Sequence, residues 1–155
     1  MAGHLVARRT TRNLGRDHDV DPDMSDLLSL LGEPDTSFAV VGATDRPGKY
    51  GGIIYRDLKR KGFEVFAVNP YRDEVDGDTC WPTVDEIPET PTMAVLVVPA
   101  RRGLQVLEDC ARAGVKRVWV QPGASSPELI EALEEGGFDY VAEDCVMVKT
   151  RGVSV

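Results

Sequence analysis

From Phe38 onward the chain alternates short, wholly apolar runs with longer amphipathic stretches, and glycine or proline closes nearly every one. The apolar runs are Phe38-Ala39-Val40-Val41 before Gly42, Val65-Phe66-Ala67-Val68 before Asn69-Pro70, Ala94-Val95-Leu96-Val97-Val98 before Pro99, and Val118-Trp119-Val120 before Gln121-Pro122-Gly123. Tyr140-Val141-Ala142 makes a fifth, with Val146-Met147-Val148 a terminal extension. Runs of this length and β-branched content are strands buried on both faces. The stretches between them read as helices. Residues 50–61 place Ile53, Ile54 and Leu58 on one face, with Lys59, Arg60 and Lys61 in the last turn before Gly62, an arrangement that suits a helix C-terminus. Residues 101–113 carry Leu104, Leu107, Cys110 and Ala111 at helical spacing ahead of Gly114, and Ser126-Pro127-Glu128 opens a helix bearing Leu129, Ile130 and Leu133 that ends at Gly136-Gly137. A connection through Trp81-Pro82, with a short turn over residues 84–87, joins the second run to the third. Apolar strands with helical crossovers give an α/β fold with a doubly wound parallel sheet of about five strands, whose ligands bind beyond the C-terminal strand ends.

The 155 residues and 16.9 kDa suit one domain, since domains commonly run to about 100–150 residues. Residues 1–21 read as a flexible N-terminal extension and residues 22–155 as the domain. The extension carries Arg8, Arg9, Arg12 and Arg16 with no acid up to residue 16. Asp21-Pro22 caps a helix over residues 22–31 whose apolar face is Leu27, Leu28, Leu30 and Leu31, stopped by Gly32.

A net charge of −8 opposes general attraction to nucleic acid or to an anionic membrane. No apolar run approaches the roughly 20 residues of a membrane helix, and the N-terminus lacks the apolar segment of a secretory signal. Cys80, Cys110 and Cys145 form no C-x-x-C pair, so neither a zinc site nor a disulfide framework is expected, and the expected compartment is the cytoplasm. Cys110, on an apolar helix face, and Cys80, beside Trp81, read as packing residues. The charge is unevenly placed. Residues 17–35 sum to −7 and residues 128–144 to −7, whereas residues 45–61 sum to +4.

That basic exception coincides with the loop Gly42-Ala43-Thr44-Asp45-Arg46-Pro47-Gly48-Lys49-Tyr50-Gly51 between the first strand and first helix. Small residues let a ligand approach the backbone, the helix N-terminus offers free N–H groups, Thr44 adds a hydroxyl, and Arg46 and Lys49 add charge for a phosphate. The bland alternative is a glycine-rich turn with exposed bases. The loop is neither G-x-G-x-x-G nor a P-loop, because Gly48-Lys49 precedes Tyr50 rather than Ser or Thr. After the second strand, where a dinucleotide site carries an acid for the ribose, the chain has Asn69-Pro70-Tyr71-Arg72. Arg72 suits a phosphate, and Pro70 or Tyr71 the face of a base.

Taken in order, the strand followed by Gly42-Ala43-Thr44 and Gly48-Lys49-Tyr50-Gly51, then Val68-Asn69-Pro70, Val97-Val98-Pro99 and Gln121-Pro122-Gly123, resembles the small CoA-binding proteins. Their Rossmann-like domain is similar to the nucleotide-binding N-terminal domain of the succinyl-CoA synthetase α subunit. The resemblance covers residues 36–150. It implies coenzyme A or an acyl-CoA as the ligand. Gly42, Ala43 and Thr44 would line the diphosphate, with Arg46, Lys49 and Tyr50 beside it. Asn69, Pro70, Tyr71 and Arg72 would surround the 3′-phosphate end of the adenosine, and Val98 and Pro99 would pack on the adenine or the pantetheine arm. Gln121, Pro122 and Gly123 would lie nearest the thiol. The family often has a cysteine where Cys145 stands; a packing role is the plainer reading, a mixed disulfide with the ligand the sharper one.

The synthetase also needs a phosphorylated histidine and a nucleotide-grasping partner. His4 and His18, the two histidines here, lie in the extension. No Ser-His-Asp or Cys-His arrangement assembles, and Glu128, Glu131, Glu134 and Glu135 read as a solvated face rather than a metal site. The expectation is a non-catalytic CoA-binding or regulatory protein, with a second copy or a ligase subunit as the protein partner. The alternatives are a CoA-binding component of a multi-subunit acyl-CoA ligase, or an NAD-binding oxidoreductase or redox sensor.

Overall fold

The structure, a computed structural model, describes residues 5–6 and 27–154. Eight strands run in chain order as β1 (Leu5–Val6), β2 (Ser37–Val41), β3 (Glu64–Val68), β4 (Glu74–Val75), β5 (Asp78–Trp81), β6 (Met93–Leu96), β7 (Arg117–Val120) and β8 (Asp139–Ala142). Among the described residues, after a helical stretch at residues 27–29, come four α-helices: α1 (Tyr50–Arg60), α2 (Ala100–Ala113), α3 (Pro127–Glu135) and α4 (Val146–Lys149). The strands lie side by side as β1-β8-β7-β6-β2-β3-β5-β4. From β5 to β8 every neighbouring pair is parallel, and β1 and β4 add antiparallel edges. The doubly wound parallel sheet is as expected from the sequence, with more strands than the five it suggested.

Three additional strands, β4, β5 and β1, account for the difference. Glu74–Val75 and Asp78–Trp81 form a hairpin where the sequence suggested a plain connection. Asp76 and Gly77 both have positive φ, at 54° and 80°, as a two-residue turn between antiparallel strands requires. At the opposite edge Leu5–Val6 pairs with Val141 and Ala142 of β8. The rest of the N-terminal extension and the Asp21-Pro22 cap lie outside the described residues; the helix they were expected to start is present at residues 27–29, running into a 3-10 turn at Leu30–Gly32. Residues 146–149, read as an extension, are helical.

Alternating side chains send each strand into two cores. Phe38 and Val40 join Ile54, Tyr55, Leu58 and Phe63 under α1. Ala39 and Val41 join Leu107, Cys110, Leu129 and Leu133 under α2 and α3. On β7, Trp119 faces the α1 side while Val118 and Val120 face the other. The expected apolar face of α2 needs correction. Leu104 is 38% exposed and Ala111 is also exposed, whereas Gly103, Val106, Leu107 and Cys110 are buried. Gly103 lets the helix settle on Leu129 and Leu96, whose methyl carbons lie 3.3–3.4 Å from where a β-carbon would stand. The helix stops as expected at Gly114, left-handed at φ 83°, and Ser126 caps α3 by accepting the Leu129 N–H at 3.1 Å.

Candidate functional site

The parallel strands end on one side of the molecule, and their loops are tied to one another one residue beyond the ladder. Gly42 N–H donates to the Val68 carbonyl and Val97 N–H to the Val41 carbonyl, each at 2.9 Å. Gln121 N–H donates to the Leu96 carbonyl at 3.2 Å. Two of the loop glycines are dictated by space. A β-carbon on Gly42, where φ is +105°, would lie 2.6 Å from the Val97 carbonyl oxygen, and one on Gly51 would lie 1.9 Å from the Gly42 carbonyl oxygen. The first turn of α1 therefore rests directly on the loop that follows β2. Lys49 caps the helix without a side-chain hydrogen bond, and the Tyr50 and Gly51 N–H groups meet no acceptor among the described residues.

Above this floor lies a cavity of about 770 Å³, within the range of small-molecule and cofactor sites. Gly42, Thr44, Arg46, Lys49, Tyr50, Asn69, Pro70, Tyr71, Arg72, Val98 and Pro99 all line it, so the structure brings together most of the residues singled out in the sequence. Ala43 lines neither this cavity nor the one beside Gln121, Pro122 and Gly123. Its side chain is fully buried in the core, and it offers the loop only its backbone, whose carbonyl accepts the Asn69 side-chain N–H at 2.9 Å. The Thr44 hydroxyl accepts the Arg46 backbone N–H at 3.1 Å, which leaves its own hydrogen to donate.

Gln121, Pro122 and Gly123 line a second cavity of about 440 Å³ together with Ala124 and Cys145. Tyr50, Val97, Val98 and Pro99 border both cavities. The Gln121 amide is committed to structure: its oxygen accepts the Val146 N–H at 2.7 Å and its nitrogen donates to the Cys145 sulfur at 3.4 Å. Cys80 and Cys110 are packing residues, both buried.

Several lining residues escaped the sequence reading. Arg102, Gln105, Val106 and Asp109 come from α2, and Pro82, Thr83 and Val84 from the segment after β5. The signal was present as spacing: positions 102, 105, 106 and 109 form one helical face. The Arg102 guanidinium sits 5.5 Å from the centre of the Tyr71 ring, a cation–π pair between two residues of the cavity wall. Arg46, Lys49, Arg72 and Arg102 thus bring four cations to the cavity. Among the described residues no acid pairs with them, despite the net −8.

Compared with known families, residues 36–151 match the CoA binding domain. The chain belongs to the CoA-binding domain family. This CoA-binding domain is 34% identical over 124 residues to acetate–CoA ligase (ADP-forming) I of Archaeoglobus fulgidus, an alignment that covers 73% of the chain and 18% of the ligase. The chain spans under a fifth of the length of the two Archaeoglobus ligases it matches. It is 26% identical to YneT of Bacillus subtilis, covering 83% of this chain and 94% of that one. A solved structure of a conserved hypothetical protein from Pyrococcus furiosus superposes with a TM-score of 0.71 at 46% identity, over 74% of this chain and 98% of that one.

Among the described residues, no helix of the CoA-binding domain is long and apolar enough to cross a membrane. No group of three or more His, Cys, Asp or Glu is placed to hold a metal there.

Proposed function

We propose that this chain binds coenzyme A, or an acyl-CoA, across the C-terminal ends of its parallel strands and acts as a non-catalytic binder or regulator. The observation that carries this reading is the 770 Å³ cavity lined by four cations that make no ion pair among the described residues. Coenzyme A is long and polyanionic, with a diphosphate, a further 3′-phosphate and an uncharged arm. Thr44, Arg46, Lys49 and the free N–H groups of α1 suit the diphosphate. Arg72, on the loop after β3, suits the 3′-phosphate. The second cavity, reached past Tyr50 and Val98, suits the arm and its thiol. At the end of β3 the side chain is Asn69, committed to the Ala43 carbonyl and to the Tyr71 N–H. No carboxylate stands there for the ribose of NAD.

The similarity to ADP-forming acetate–CoA ligases favours a second reading, in which the chain is the CoA-binding component of a ligase whose other parts are separate. Thermal-shift and calorimetric titrations with coenzyme A, acetyl-CoA, NAD and ATP test the first reading, since a ligand of the native state raises the melting midpoint by mass action. Coenzyme A is expected to stabilise the protein and NAD is not. Stabilisation by NAD alone would sink the proposal. Acyl-CoA formation from acetate, ATP and coenzyme A only on adding a co-purified subunit would favour the ligase reading.

A further inference from the structure

Among the described residues the cavity holds one acidic side chain, and everything else charged there is cationic. Asp109 is 5% exposed and lines the wall. Its Oδ1 accepts from Gln105 Nε2 at 3.3 Å and from Arg112 Nη2, while Arg112 Nε also donates to Asp85 at 3.3 Å. No hydrogen bond engages Asp109 Oδ2 among the described residues. The Arg112 ion pair offsets the cost of burying this carboxylate, and the second oxygen, beside an open cavity, can still accept from a donor that enters it. In an anion site that donor belongs to the uncharged part of the ligand.

Position along the fold says which part. Asp109 lies nine residues beyond Ala100, the first residue of α2, about 14 Å along the helix axis. Asp109, Thr83 and Val84 line the first cavity and not the second, whereas Gln121 and Cys145 line the second and not the first. If the thiol arm runs toward the second cavity, the base lies toward Asp109. Val84 and Val106, both nearly buried, offer apolar walls to a flat ring.

We propose that Asp109, held by Gln105 and Arg112, reads the exocyclic amine of the ligand's purine, so that the site selects a 6-amino purine over a 6-oxo purine. The inference rests on the CoA-binding reading. Adenine presents an N–H donor to the open oxygen. At the same position a hypoxanthine or guanine presents a carbonyl, whose lone pairs are repelled by the carboxylate, and its N1–H donor lies one atom away, so the base would have to shift to reach the open oxygen.

The test is calorimetric titration of the full chain with coenzyme A and with its N6-deaminated form, in which hypoxanthine replaces adenine. The expected result is a Kd lower for coenzyme A by about tenfold or more, as loss of a hydrogen bond to a charged group implies. Asp109→Asn, whose amide can turn either its oxygen or its nitrogen toward the base, should bring the two Kd values within about threefold. A purely structural Asp109 would weaken both ligands together and keep their ratio. The wild-type comparison needs no variant to fold. Equal binding of both ligands by the wild type, or an unchanged ratio in Asp109→Asn, overturns the inference while leaving CoA binding in place. Failure of both ligands to bind overturns the functional reading as well.

Discussion

The side-chain nitrogen of Asn69 donates to the backbone carbonyl of Ala43 at 2.9 Å, a bond between the two loops that carry Arg46, Lys49 and Arg72, three of the four cations of the site. The other end of the same amide accepts the Tyr71 N–H at 2.9 Å, which sets the turn that presents Arg72. Both functions of the side chain are used, one as donor and one as acceptor. Asn69→Asp keeps the acceptor, loses the donor and adds a negative charge beside a phosphate. It should weaken CoA binding by tenfold or more and lower the melting temperature. Asn69→Ala should lower the melting temperature similarly but weaken CoA binding less, because it adds no charge. Calorimetry on the two variants separates the loop from the charge; equal binding by both would remove charge repulsion from the account.

Arg72 and Lys49 differ in the phosphate they are proposed to meet. Replacing either by Ala should weaken CoA binding by about tenfold, the scale of one charged hydrogen bond. With dephospho-CoA, which lacks the 3′-phosphate, Lys49→Ala should keep its effect and Arg72→Ala should largely lose it. Equal losses with both ligands would take Arg72 away from the 3′-phosphate.

What was legible in the sequence was whatever rests on apolar continuity or on a cap. Phe38–Val41, the Gly114 stop and the Ser126 cap all declare themselves through local chemistry, which the tertiary fold then reinforces. Two kinds of feature did not. The hairpin ending at Trp81 is built from Glu74, Asp76, Asp78 and Thr79, without the alternating apolar residues that mark a strand; its one clear signal was Asp76-Gly77, a common hairpin turn. The α2 half of the cavity was hidden for a different reason. Attention to strand ends finds loop residues, but Gln105 and Asp109 reach the site from the second and third turns of a helix, and their charge and polarity resemble those of a solvated face. Leu104 misled in the opposite sense. At helical spacing from Leu107, it still faces outward, because small Gly103 makes the actual contact with Leu129.

The seat of α1 on the β2 loop is intolerant of added volume. A β-carbon at Gly51 would stand 1.9 Å from the Gly42 carbonyl oxygen, and one at Gly52 2.2 Å from the Thr44 carbonyl oxygen. Both obstacles are backbone, so the helix must retreat. Gly51→Ala should cost about 1–3 kcal/mol of stability, as overpacking does, and should also weaken CoA binding by moving the Tyr50 and Gly51 N–H groups. Gly32→Ala, where nothing lies within 4 Å, is the control expected to change neither. Chemical denaturation and calorimetry on both variants check this, and a Gly51→Ala protein that binds normally would contradict the close approach.

The three thiols should react in an order set by burial. Burial pushes the Cys110 thiol up to about 12, with the Asp109 and Asp85 charges adding to the effect, and burial also raises Cys80. A raised pKa keeps the thiol protonated, and the thiolate is the nucleophile. At pH 8 Cys110 and Cys80 should resist iodoacetamide in the folded protein, while half-buried Cys145 on the second cavity is modified first. Saturating acetyl-CoA, whose sulfur is acylated and does not consume the reagent, should slow modification of Cys145 severalfold if its arm occupies that cavity. Peptide mapping by mass spectrometry reads both effects, and early labelling of Cys110 would refute the order.

Acid stability should report the contact between the β4–β5 hairpin and α1. Asp78 Oδ2 accepts from Lys59 Nζ at 2.6 Å and from the Tyr55 hydroxyl at 2.6 Å, and these two bonds, Lys59 first, hold its carboxyl below the ordinary value of 3.8. The folded pKa is therefore lower than the unfolded one, so the native state favours the ionised form. Its contribution is present above the unfolded value and disappears as pH falls through the folded one. Tyr55 and Lys59 are shifted the opposite way, upward: Tyr55 by burial first and then by Asp78, Lys59 by its bonds to Asp78 and Asp76. Their contributions are lost only in strong alkali, outside the acid window. Asp78→Asn should lower the melting temperature at pH 7, because buried Tyr55 keeps at best a weaker acceptor. Its deficit should shrink as pH falls from the ordinary value of 3.8 through the lowered one, where the wild type gives up its advantage. Melting curves over that range decide the matter, and a deficit that stays constant with pH would show that the ionised carboxylate contributes nothing to holding the hairpin on the helix.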